Sequence, residues 1–551
     1  MAAAEPNRPL LTVRGLTVDF GGPRDRTAAV RGVDLTLHPG ECLAVVGESG
    51  SGKSVTARTL VGLAGPGARI RADRLELDGQ DLTALTEREW RRIRGRRIGL
   101  VLQDALAALD PLRPVGREVA EALGNHRLLP PAERPARSVE LLARVHVPEP
   151  GLRARQYPHQ LSGGLRQRAL IASALAAEPA VLIADEPTTA LDVGVAAQIL
   201  DLLAETKATG TAVLLISHDL AVVARLADRI AVMRRGVVVE QGPADQVLRA
   251  PAHPYTRELL AAVPTAQSKG RRLAPGPPAA TPPPAAEPRP DGAPVVEAVS
   301  LAKAFRGPDG TRRTAVDDVS FTVRAGRTLG IVGESGSGKS TTALMLLGLL
   351  EPDHGEVRLL GRPWSNRPES ERRPLRRRVQ LVQQDPLSSF DPRYTVERIV
   401  GEGLGAPGRR AARAHRERIT ALLRQVGLGP EHLGRHPHEL SGGQRQRIAI
   451  ARALAPGPDV IVCDEPVSAL DVSIQAQVLD LFADIQAATG VALVFVSHDL
   501  GVIHHVSDDV VVMRGGRVVE AGPVTDVFTN PRHTYTAELL RALPAIAPAT
   551  P

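Results

Sequence analysis

The chain has 551 residues, 43 % hydrophobic but only 2 % aromatic, with a formal charge of +7. Over this length that charge reads as a solvated basic surface rather than a polyanion-binding one; the two cysteines, both in apolar strand-like runs, exclude a disulfide framework or a cysteine metal site, and no apolar run nears the roughly 18 residues of a membrane span. Cores built from Leu, Val, Ile and Ala suit α/β layers; the cysteine count points to a reducing compartment, and MAAAEPNRPLL has no basic segment followed by an apolar core.

In chain order, LLTVRGLTVDF (Leu10 to Phe20) and VRGVDLTLHPGE (Val30 to Glu41) alternate apolar with polar residues, as half-buried antiparallel strands do. Phe20 is a candidate to stack on a nucleotide base, with core packing an equal alternative. LAVVG then reads as a buried strand that runs into GESGSGKS, Gly47 to Ser54. This fits G-x-x-x-x-G-K-[ST], a loop whose backbone N–H groups cradle phosphates. Gly47, Ser49, Gly50 and Gly52 form the cradle, Lys53 would reach the β- and γ-phosphates, and the Ser54 hydroxyl would ligate Mg²⁺. TARTLVGL reads as the helix whose N-terminus meets the phosphates.

A basic run, Arg91 to Arg97, reads as surface. IGLVLQD is a strand ending at Gln103, placed to ligate Mg²⁺ and orient water. Residues 111–159 lack alternation and form a small helical subdomain that ends in QLSGGLRQR. There Ser162, Gly163 and Gly164 open a helix and make a second anion-binding surface. VLIADEP delivers two carboxylates from one strand: Asp185 suits a second Mg²⁺ contact and Glu186 suits polarisation of an attacking water. Standing alone, such a pair would equally be a helix cap with a first-turn acid. VLLISHDL places His218 at another strand end.

Thr265 to Pro294 is rich in proline and alanine and reads as an extended linker, able to span roughly 90 Å at ~3.1 Å per residue. Every motif then returns: Phe305; the loop Gly333 to Ser340 with Ser335, Gly336, Gly338, Lys339 and Ser340; the basic run Arg372 to Arg378; Gln384; Ser441, Gly442, Gly443 and Gln444; Asp464 and Glu465; and His498. The boundaries expected are 8–264, 265–294 and 295–545.

These six spaced motifs, occurring twice, resemble the ATP-binding cassette (ABC) ATPases over nearly the whole chain outside the linker and termini. The resemblance implies an α/β fold of two tandem ATPase domains, each a phosphate-loop parallel-sheet core with an antiparallel β subdomain and a small helical subdomain. It implies ATP and Mg²⁺, and head-to-tail pairing of the halves. One site would combine Lys53, Ser54, Gln103, Asp185, Glu186 and His218 with Ser441, Gly442 and Gly443, with Gln444 beside them a further nucleotide-binding candidate. The other would combine Lys339, Ser340, Gln384, Asp464, Glu465 and His498 with Ser162, Gly163 and Gly164. Glu186, His218, Glu465 and His498 are the implied catalytic residues, with Mg²⁺ at Ser54, Gln103 and Asp185 and at Ser340, Gln384 and Asp464. One departure is Leu165 where the second half has Gln444; the lost side-chain hydrogen bond, about 0.5–1.5 kcal/mol, should modulate rather than abolish a site.

A narrower resemblance, to the dipeptide, oligopeptide and nickel importer branch, lies in HPYTRELLAAVP (His253 to Pro264), HTYTAELLRALP (His533 to Pro544) and QDPLSSFDPR (Gln384 to Arg393). It implies two normally separate ATPase subunits fused in one chain, peripheral on the cytoplasmic face of the membrane. The implied partners are two transmembrane permease subunits and an extracytoplasmic solute-binding protein, without direct nucleic-acid contact. Relatives that hold an iron–sulfur cluster beyond this tail do so through a cysteine cluster that this sequence lacks, so no such cluster is expected. The contrasting class, a soluble tandem cassette acting on ribosomes or nucleic acid, would carry a charged helical linker or cysteine zinc modules, and neither is present.

Overall fold

CLAVV, VLIAD and AVLLI are buried at every position, as strands covered on both faces must be. In the computed structural model they lie side by side in a six-stranded sheet ordered Val237–Pro243, Arg229–Arg234, Cys42–Val46, Ala212–Ile216, Val181–Asp185, Ile98–Val101. All neighbours are parallel except the first pair. The second half repeats the arrangement with Arg517–Pro523, Asp509–Arg514, Thr328–Val332, Ala492–Val496, Val460–Asp464 and Val379–Val382. The structure describes residues 8–22, 26–189, 191–265, 267–275, 293–306, 310–406, 408–468 and 470–541. They divide into two compact units, one within Met1–Leu260 and the other within Ala261–Leu543.

The alternating stretches form the expected antiparallel sheets. Leu11–Phe20 pairs with Thr27–Leu37 in a register running from Leu11↔Leu37 to Phe20↔Thr27, and Pro294–Arg306 pairs likewise with Arg312–Arg324. The helical subdomains are also present. Val115–Asn125 and Arg134–Arg144 carry the first, and Val396–Gly403, Arg409–Ala414 and Arg416–Gln425 the second. Among the described residues no helix is long and apolar enough to cross a membrane.

The basic runs do more than cover the surface. Arg94 donates to the carbonyls of Val61 (2.7 Å) and Gly62 (3.1 Å), and Arg376 to those of Leu347 (2.9 Å) and Gly348 (3.3 Å). Each guanidinium therefore closes the carbonyl end of the helix that follows a phosphate loop, where a cation also suits the helix dipole. Each also stacks on the tryptophan of its own half, Trp90 or Trp364. Those indoles lie so close to Gly62 and Gly348 that an added Cβ would sit 2.6 Å and 2.9 Å from them.

Most of the proline-rich stretch, 276–292, lies outside the described residues. Its beginning is built into the second unit. Leu273 is buried in the core there, and the N–H groups of Leu273 and Ala274 donate to the Asp480 carboxylate at 3.1 and 2.9 Å. Arg272 reaches Asp484 at 2.7 Å, and Ser268 Oγ meets His505 Nδ1 at 2.9 Å.

Gly348→Ala should destabilise the second unit by about 1–3 kcal/mol through its clash with Trp364. Gly405→Ala, at a similarly positive φ but with nothing within 4 Å of the added Cβ, should cost less. Urea unfolding in a Trp90→Phe background, where Trp364 is the remaining tryptophan, makes the comparison; equal losses would contradict the packing account.

Candidate active site

Each phosphate loop leaves a buried strand and enters a helix, Lys53–Thr59 or Lys339–Leu346, through a left-handed glycine, Gly52 (φ 102) or Gly338 (φ 100). Alanine is excluded by space as well as by conformation. A Cβ on Gly52 would lie 2.5 Å from the Ala29 carbonyl oxygen, and one on Gly47 would lie 2.1 Å from that of Met233. Lys53 Nζ folds back to donate to the carbonyls of Gly47 (2.6 Å) and Glu48 (2.8 Å), and Lys339 does the same with Gly333 and Glu334. Within each loop the hydroxyl of Ser51 or Ser337 is buried with no partner among the described residues. Such an orphan, beside a lysine held on the loop's own carbonyls, fits a cradle shaped to receive an anion.

The strand ends then gather the expected side chains in each half. Ser54 Oγ donates to Asp185 Oδ1 at 3.0 Å, and Ser340 Oγ to Asp464 Oδ1 at 3.3 Å. Gln103 Nε2 donates to Glu186 Oε2 at 2.8 Å, and Gln384 Nε2 to Glu465 Oε2 at 3.2 Å. His218 Nδ1 lies 3.1 Å from Glu186 Oε1, and His498 Nδ1 lies 3.2 Å from Glu465 Oε1. Both glutamates adopt a left-handed backbone, φ 50 and φ 48, which costs a side-chain-bearing residue about 1 kcal/mol or more. Their N–H groups are pinned to the neighbouring strand, at Ile216 and Val496. The strain turns each carboxylate back toward its histidine and glutamine.

The remaining expected residues lie at helix starts and on antiparallel strands of their own halves. Ser162 and Ser441 cap the helices Gly163–Leu175 and Gly442–Leu454. Gly164 and Gly443 are required by close packing, since a Cβ would lie 2.4 Å from Val195 and 2.5 Å from Ile474. Gln444 Oε1 accepts the Ser441 N–H at 3.0 Å, completing a capping box that Leu165 cannot form in the first half. The hydrogen bond lost at Leu165 is thus one that fastens the start of its own helix. Phe20 is partly buried against the first core, whereas Phe305 is 45 % exposed.

Residues 30–189 and 316–468 match the ABC transporter family. Over 538 residues the chain is 44 % identical to the peptidoglycan transport ATP-binding protein YejF of Agrobacterium fabrum, covering 97 % of this chain and 96 % of that protein. The chain belongs to the ABC transporter family. It is also 43 % identical over 565 residues to the glutathione import ATP-binding protein GsiA of Salmonella choleraesuis, covering 98 % of this chain and 91 % of that one. Against GsiA of Escherichia coli it is 43 % identical over 562 residues, with coverages of 98 % and 90 %. Residues 239–292 and 519–551 match the C-terminal region of oligopeptide/dipeptide transporters. As an ABC ATPase it hydrolyses ATP.

Three residue pairs of this ABC ATPase escaped the motif reading. Thr189 Oγ1 donates to Glu186 at 3.1 Å, and Ser468 accepts from Gln384 at 3.2 Å, so each glutamate or its glutamine has an extra polar neighbour. Ser51 and Ser337 supply the buried hydroxyls. Tyr255 and Tyr535, quoted in the sequence only within the tails, reach the loops themselves: their hydroxyls accept the N–H of Glu48 and Glu334 at 3.3 and 3.2 Å.

Electrostatics separate the two adjacent acids. Burial, aided by the neighbouring Glu186 charge and opposed by the Ser54 hydrogen bond, raises the Asp185 carboxyl above its ordinary range; burial and Glu465 do the same at Asp464. Burial also opposes ionisation of Glu186 and Glu465, but the hydrogen bond and charge of the facing histidine outweigh it and hold both below the ordinary range. Burial would depress the histidines, yet their glutamates raise them. Stability from a raised histidine is present below the unfolded value near 6.5 and lost as pH rises through the folded one; stability from a lowered glutamate is present above its unfolded value and lost as pH falls through the folded one. The ion pair is therefore formed between those two folded values. NMR titration of the nucleotide-free protein should show the imidazoles of His218 and His498 protonating above pH 6.5, and Glu186→Gln should return His218 alone to a lower value. An unmoved His218 would contradict the pairing.

Proposed function

We propose that this ABC ATPase is the energy-coupling subunit of an importer for peptide-like solutes, acting from the cytoplasmic face of the membrane beneath two permease subunits supplied by a solute-binding protein. The observation that carries this reading is the oligopeptide/dipeptide transporter tail, matched at the end of both halves. Near full-length similarity to proteins that carry peptidoglycan and glutathione transport in their names supports the same class of cargo.

In the proposed cycle the halves pair head to tail. The loop of one half and the LSGG start of the other, Lys53 with Ser441 to Gly443 and Lys339 with Ser162 to Gly164, hold the two nucleotides between them. ATP moves the halves together only if it binds the paired state more tightly than the open one. Glu186 and Glu465 accept a hydrogen bond from the attacking water, His218 and His498 hold those carboxylates in place, and Gln103 and Gln384 orient them from the side facing the permeases. The residues fit Mg²⁺: one carboxylate, one serine hydroxyl and a glutamine oxygen form an all-oxygen set, which leaves the remaining positions to phosphate and water. Bound there, the ion would supply charge neutralisation of the phosphates, and it would relieve the burial that raises Asp185 and Asp464.

Gentle purification of tagged Glu186→Gln/Glu465→Gln protein from its own host's membranes, in ATP, tests the proposal. Co-purification of two multi-span permeases and a solute-binding protein is expected. Ribosomal proteins without a membrane partner would overturn it.

A further inference from the structure

The tails at the end of each half are built into the phosphate loops, and the construction is the same twice. Glu240 accepts the N–H groups of Ala252 (2.7 Å) and His253 (3.1 Å); Glu520 accepts those of Arg532 (2.8 Å) and His533 (3.1 Å). The histidine Nδ1 then accepts the N–H of the tyrosine two residues on, at 3.1 Å in both halves. This fixes the start of the helices Pro254–Ala261 and Thr534–Arg541. Each tyrosine is 2 % exposed and lies under an arginine guanidinium, Arg234 at 4.5 Å or Arg514 at 4.6 Å from the ring centre. Both arginines end the strand next to the loop's own strand. The hydroxyl so placed takes the N–H of Glu48 or Glu334.

We infer that Tyr255 and Tyr535 are positioning residues for ATP binding, each holding its phosphate loop in the receptive shape through one backbone amide. The carbonyl of Glu48 already accepts Lys53 Nζ and the Ser51 N–H, and that of Glu334 accepts Lys339 Nζ and the Ser337 N–H. With its N–H taken by the tyrosine, both backbone polar groups of this residue are engaged, and the loop enters its turn from a fixed point. These amides are part-buried, and one left without its acceptor loses a hydrogen bond that solvent only partly replaces, so without the hydroxyl the loop shifts toward another partner and the cradle must be reordered when phosphate arrives. The tail is thereby a part of the nucleotide site, contributed from roughly two hundred residues further along the chain.

The inference rests on the ATPase chemistry of the loops and not on the import proposal. Tyr255→Phe removes only the hydroxyl and keeps the ring beneath Arg234. Hydrogen exchange of the nucleotide-free protein, read on peptides whose LAVV or LGIV flanks distinguish the two identical loops, should speed up at Gly47–Ser54 in Tyr255→Phe and at Gly333–Ser340 in Tyr535→Phe, with the strands Val181–Asp185 and Val460–Asp464 unchanged. Affinity for a fluorescent ATP analogue at the altered site should weaken about 3- to 10-fold, the value of one hydrogen bond. ATPase KM should rise accordingly, with kcat retained to within about twofold. Unchanged loop exchange with unchanged affinity would overturn the inference, as would faster exchange spread evenly through the half, which marks a merely structural tyrosine.

Discussion

The phosphate loop depends on a close fit between two carbonyl oxygens. On one side the Met233 carbonyl, at the end of a parallel strand, leaves no room for a side chain at Gly47; on the other, the Ala29 carbonyl of the antiparallel sheet leaves none at Gly52. The loop is thus clamped between the two sheets of its half, and Lys53 draws its carbonyls inward. Met513 and Ala315 repeat the clamp around Gly333 and Gly338. The antiparallel sheet is in this sense part of the nucleotide site, although none of its polar side chains need touch a phosphate.

Around that clamp the parallel strands place their C-terminal ends, where ligands collect in open α/β sheets. Asp185 and Glu186 leave the same strand yet face opposite electrostatic surroundings, one burdened by burial and its neighbour's charge, the other relieved by a histidine. Adjacent acids pushed apart in this way suit the different roles proposed for them, the first beside a counter-ion and the second ionised to meet a water. The left-handed backbone at each glutamate makes the division possible, because a strand continued in extended form would point the second side chain to the opposite face. The strain is held by the N–H bond to the adjacent strand.

Much of this was legible in the sequence because the chemistry demands fixed spacings. The loop, the strand-end acids, the glutamines and histidines, the sheet types and the helical subdomains all follow from local patterns, and the repetition in each half strengthens weak signals such as a lone histidine. What could not be read depends on contacts between distant segments. Trp90 and Trp364 perform the same packing against Gly62 and Gly348 but arrive from different distances along the chain, so no alignment of motifs reveals the match. The arginine runs look like surface until Arg94 and Arg376 are seen to close helix ends. Leu273 lies in an apolar-poor stretch that reads as linker, and its burial is settled by Asp480 in a helix some two hundred residues on. The tyrosine hydroxyls at the loops are of the same kind: their short motif carries no hint of its target.

The central claim is that each half carries a complete nucleotide-binding loop and its own strand-end glutamate. Equilibrium dialysis of ATP with the Glu186→Gln/Glu465→Gln protein tests it most directly. The account predicts two ATP bound per chain, falling to one when either Lys53→Ala or Lys339→Ala is added. A single ATP in the parent variant, or loss of both on changing one lysine under saturating ATP, would contradict it.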